Sequence, residues 1–151
     1  MKLKNNLGFT IFELMIAIAI IAFLSILTVP NLMKFLSKAK RTEAYVNLGS
    51  LAMAQKMHFA QTGKYTNILG QGGLNWSPEG NNNYAYGFSG QQNINYFPGK
   101  LQTDPGVLNG SSIKQNGFIM YAACDIDGDG KPDILSIDQN NEIRIIQDDL
   151  A

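Results

Sequence analysis

The chain has little with which to cross-link itself or to catalyse. Of its 151 residues only Cys124 is a cysteine, so it has no internal disulfide framework. The expected role of that thiol is a small apolar residue buried on a strand. His58 is the one histidine and, beside Phe59, reads as a packing residue. Gly70-Gln71-Gly72-Gly73 is followed by no Lys-Ser or Lys-Thr pair, so it makes no phosphate loop, and no nucleophile–base pattern is visible. Enzyme activity is not expected. Net charge is lacking too: Lys and Arg number 12 against 12 Asp and Glu, which leaves no overall field to draw nucleic acid or acidic lipid. The aromatic stretches Tyr84–Phe88 and Ile94–Phe97 have Asn and Gln among them but no basic residue. They are expected to pack on a helix, because nucleic-acid binding depends heavily on neutralised phosphates.

What the chain has in excess is one apolar run, Phe9 to Val29. As a helix, roughly twenty residues cross a hydrocarbon layer about 30 Å thick. Its single ionisable residue is Glu13. A carboxylate there costs about 2.5–3.5 kcal/mol on insertion scales and by default marks a functional site. Lys2 and Lys4 precede the run, and Lys34, Lys38, Lys40 and Arg41 follow it, so flanking charge alone does not orient it. A secretory signal is cut after its apolar region at a small-residue site, but here Thr28-Val29-Pro30-Asn31 follows. The segment is expected to be retained.

Beyond Pro30, Leu32, Leu36, Ala39, Val46, Met53, Met57 and Ala60 recur at helical spacing, opposite Lys34, Lys38, Arg41 and Asn47. This predicts an amphipathic helix over 31–63, stopped at Thr62-Gly63. Joined to the apolar helix over 9–30, it makes a rod of roughly 80 Å. Pro30 removes a backbone donor and is expected to kink or loosen that rod. Residues 64–117 read as loop with one strand at Tyr84–Ser89. From 118 to 151 the pattern is an antiparallel meander, with strands at 118–124, 133–138 and 142–146 and a turn at Gln139-Asn140-Asn141. So small a sheet must cover its apolar face, and the Met57/Phe59 end of the helix is the expected partner, giving an α+β layer.

Between the first two of these strands lies Asp125-Ile126-Asp127-Gly128-Asp129-Gly130-Lys131-Pro132-Asp133. Carboxylates at alternate positions, with glycines for the tight turn, can converge on one hard cation such as Ca2+. The candidate ligands are the side chains of Asp125, Asp127, Asp129 and Asp133 and the backbone carbonyl of Lys131. An EF-hand would place a glutamate at the twelfth position, where Ser136 stands. Asp-Gly pairs are also ordinary turn chemistry, so an acidic hairpin without a metal is the competing reading.

Gly8-Phe9-Thr10-Ile11-Phe12-Glu13-Leu14 resembles the processing site of type IV prepilins and their pseudopilin relatives. The resemblance covers about the first third of the chain. It implies that a membrane peptidase cuts after Gly8, removing residues 1–8, and methylates the new amine of Phe9. It implies the pilin fold, a long N-terminal helix on a small C-terminal antiparallel sheet, with Pro30 where the family places a proline. Glu13 of an incoming subunit would meet the Phe9 amine of its neighbour, and pairing offsets much of the cost of burying either charge. The implied function is structural. A precursor in the bacterial inner membrane is drawn by an assembly machinery into a homopolymeric surface pilus for adhesion, twitching motility or DNA uptake. The alternative is a major-type pseudopilin of a type II secretion system, a class that also carries a C-terminal calcium site. A third reading is a membrane-anchored calcium- or glycan-binding module that never polymerises. Many type IV pilins close a C-terminal loop with a disulfide, and this chain departs from that pattern.

Overall fold

The computed structural model describes residues 8–89 and 94–150; residues 1–7, which hold most of the expected leader, and residues 90–93 and 151 lie outside the described residues. The chain divides into two units, one up to Leu36 and one from Ser37 onward. One helix, α1 (Ile11–Thr62), contributes to both.

In the first unit the large apolar side chains of α1 are all exposed. Its few hydroxyls turn inward on the helix: Ser25 Oγ donates to the Ile21 carbonyl at 2.8 Å and Thr28 Oγ1 to the Leu24 carbonyl at 2.9 Å. Such back-bonding lets a polar residue sit in an apolar segment without an unpaired donor. The backbone stays helical across Pro30.

The second unit is an antiparallel sheet packed on the C-terminal part of α1, as an α+β fold requires. Its strands are β1 (Ala85–Ser89), β2 (Ile94–Phe97), β3 (Ser112–Lys114), β4 (Gly117–Cys124), β5 (Asp133–Asp138) and β6 (Ile143–Gln147). The order is β2-β1-β4-β5-β6, with β3 pairing β4. Along one edge of β4, Gly87 and Ala85 pair with Tyr121 and Ala123, while Ser112 and Lys114 pair with Ile119 and Gly117. So β1 and β3 lie end to end beside β4. The segment 64–117, expected as loop with one strand, therefore supplies three strands and a 3-10 turn at Pro105–Leu108. These strands are short and find their partners far along the chain, so local alternation does not announce them.

The helix packs with a different face inward from the one its apolar spacing suggests. Ala44, Leu48, Leu51 and Ala52 are buried against Tyr84, Tyr86, Phe88, Phe118, Met120, Leu135 and Ile137. Val46, Met53 and Met57 lie on the opposite side and are 66%, 67% and 58% exposed. Phe59, also expected under the sheet, instead stacks on Tyr65 with ring centroids 4.5 Å apart. Polar partners decide the outcome. Glu43 accepts the Asn83 and Tyr84 backbone N–H groups at 2.9 and 3.1 Å. The Gln55 side chain, fully buried, donates to the Thr66 carbonyl and accepts its N–H. Arg41 and Asn47, expected on the solvent face, point inward as well, Asn47 Nδ2 reaching Tyr86 Oη at 3.0 Å. At the far end Gly63, with φ 71°, stops the helix, its N–H bonded to the Phe59 carbonyl.

Candidate functional site

Gly8, Phe9 and Thr10 are exposed and precede the helix, so the Gly8–Phe9 peptide is outside it. The helix begins with a reciprocal cap. Thr10 Oγ1 accepts the Glu13 N–H at 3.2 Å, and Glu13 Oε2 accepts the Thr10 N–H at 2.9 Å and its hydroxyl at 2.8 Å. This capping box satisfies two otherwise orphaned donors and sets a carboxylate at the positive end of the helix. Glu13 thus has an intramolecular task, legible in the spacing Thr-x-x-Glu. Pro30 lies in the interior of the same helix.

The acidic loop joins β4 to β5. Asp125 accepts the N–H groups of Gly128 and Gly130 at 2.7 and 3.0 Å, Asp127 that of Asp129 at 3.1 Å, and Asp129 that of Lys131 at 2.7 Å. Gly128 and Gly130 take φ of 87° and 90°, a conformation an L side chain would strain. Four carboxylates, from Asp125, Asp127, Asp129 and Asp149, bring one oxygen each within 4.8 Å of one another. Oxygens on opposite sides of a Ca2+ ion stand about 4.6–5.2 Å apart, so the spacing suits that ion. Lys131 follows in the loop, its N–H turned to Asp129.

Asp133 is not in this group, which corrects the expected ligand set. Its side chain is fully buried and committed elsewhere. Arg41 Nε donates to Oδ2 at 3.0 Å and Arg41 Nη2 to Oδ1, while the Tyr84 hydroxyl donates to Oδ2 at 2.6 Å. The first residue of β5 faces the helix, and a buried carboxylate there needs a cation of its own. Asp149, from the C-terminal tail, stands in the acidic group instead. It is 9% exposed and accepts the Ile126 N–H at 3.0 Å. Burial, then repulsion from Asp127, Asp129 and Asp125, raises its carboxyl above the usual range. Cys124, at the end of β4, is buried and free, and burial pushes its thiol up to about 12.

Residues 3–29 match the family model described as the prokaryotic N-terminal methylation motif. Over 82 residues the chain is 40% identical to the type IV major pilin protein PilA of Myxococcus xanthus (strain DK1622). The N-terminal part of the chain is thus similar to a type IV major pilin and carries the N-terminal methylation motif. The match covers 54% of this chain, and the chain spans 36% of the length of the curated relative it matches. The long helix and C-terminal antiparallel sheet agree with the pilin fold.

Two residues of the acidic end escaped sequence reasoning. Asp149 lies 16 residues beyond Asp133 and Arg41 lies 92 residues before it. No local spacing connects them. The only hint is the paired Asp148-Asp149 at the end of a chain whose net charge is zero.

Proposed function

We propose that the chain is a structural, non-catalytic subunit that polymerises through α1 into a type IV pilus-like surface filament. The observation that carries this reading is the apolar half of α1, in which none of the candidate spanning window is buried. A helix apolar on all sides belongs in a bilayer or in the core of a larger assembly. Pilins occupy the two in turn: the precursor waits in the inner membrane, loses residues 1–8, and is drawn out by the assembly machinery. Within the folded unit, the exposed apolar side chains of Val46, Met53 and Met57 support contact with further copies. Adhesion, motility and DNA uptake are the tasks open to such a filament.

The test is to shear cells and take the mass of the N-terminal peptide from the released material. A peptide starting at methylated Phe9 supports processing and export. Protein left in the membrane with Met1–Gly8 attached overturns the reading and favours an anchored module.

The acidic loop is proposed as a Ca2+ site formed by Asp125, Asp127, Asp129 and Asp149 with the Lys131 carbonyl. The convergence of four carboxylates supports it, and with no disulfide present an ion would staple this end of the domain. The same loop keeps the secretion pseudopilus as the second reading, for which deletion of the gene would stop exoprotein secretion.

A further inference from the structure

We propose that residues 147–149 form a noncovalent latch that closes the acidic loop onto α1. Asp149 follows the last strand, yet it is only 9% exposed. The tail grips the loop at both ends. Near its start, the Ile126 N–H donates to Asp149 Oδ2 at 3.0 Å, while Lys40 Nζ of the helix donates to the Ile126 carbonyl at 2.6 Å. Near its end, Gln147 Nε2 donates to the Pro132 carbonyl at 2.8 Å and the Asp149 N–H to Asp133 Oδ1 at 3.4 Å. Arg41 is the buckle, since one guanidinium holds both Asp133, the first residue of β5 where the loop ends, and Asp148 of the tail. Between these grips the loop's own backbone N–H groups donate to its own carboxylates.

The latch closes against a load. Bringing Asp149 beside Asp125, Asp127 and Asp129 gathers like charges, and the backbone bonds and the two helix cations oppose their repulsion. Opening it frees loop and tail while the β1–β4–β5 pairing stays closed, because no ladder bond runs through residues 126–132. The inference does not depend on metal binding.

Hydrogen exchange followed by mass spectrometry on the full chain in detergent, with chelator, tests it. In a chain ending at Ile146, amides of 126–131 should exchange roughly tenfold faster than in the intact chain, while those of β4 keep their protection. Unchanged loop exchange would overturn the latch. If that truncation strips β4 of protection as well, the full-length double variant Asp148→Ala/Asp149→Ala decides. Acceleration confined to the loop supports the latch, and acceleration in neither or in both regions refutes it.

Discussion

Tyr84 and Tyr86 are both fully buried in the folded unit. Tyr84 donates to Asp133 and Tyr86 to Glu43 Oε1 at 3.0 Å. Burial, reinforced by the neighbouring carboxylate, pushes the Tyr84 phenol far above its ordinary range. Burial does the same for Tyr86, where the hydrogen bond from Asn47 only partly offsets it. The sign follows. Both phenols hold their protons more tightly folded than unfolded, so the stability they contribute is present below about pH 10 and is lost as pH rises beyond it. Alkaline titration should therefore show the exposed tyrosines ionising first and these two only as the fold is lost, read by tyrosinate absorbance against circular dichroism. Ionisation of every tyrosine in one step with the fold intact would contradict the placement of both.

At the scale of the element, α1 has two apolar faces with different duties. Leu48 is fully buried, and Leu48→Ala should cost about 2–5 kcal/mol in a denaturant melt of the full chain in detergent. Met53→Ala, on the outer face, should stay within about 0.5 kcal/mol of the parent yet lower filament yield. Equal losses of stability from the two would mean that the outer face is covered within the subunit. The helix itself was legible, from its apolar length and its Gly63 stop, but its orientation was not. Spacing counts apolar residues, whereas Glu43 and Gln55 are drawn inward by backbone groups near β1 and at Thr66 that the helical sequence does not contain.

The acidic loop shows the same division. Alternating Asp125, Asp127 and Asp129 could be picked out by eye, and Asp149 could not. Excess Ca2+ should raise the melting temperature of the full chain, a hundredfold excess over the dissociation constant adding about 2.7 kcal/mol. Asp149→Asn keeps an acceptor for the Ile126 N–H but should lose most of that shift. Melting that ignores calcium in the parent chain would remove the metal from the account.

For the whole molecule, the decisive residue lies in the first unit. Glu13 caps its own helix through Thr10, and in a filament it is proposed to meet the Phe9 amine of a neighbouring subunit. Glu13→Ala should be made and processed but poorly incorporated, as measured by sheared filament against total subunit. Normal incorporation would show that capping is its only task.

The amino-acid sequence by itself determined what depends on near neighbours: a long helix from unbroken apolarity, the N-terminal methylation motif, and the β4–β5–β6 meander. Tertiary structure alone decided the inward face of α1, the strands β1 to β3, the pairing of Asp133 with Arg41 and the arrival of Asp149 at the loop. The physical reason is common to all four. Each settles how a polar group or a short strand is satisfied once buried, and in each the partner comes from a distant part of the chain.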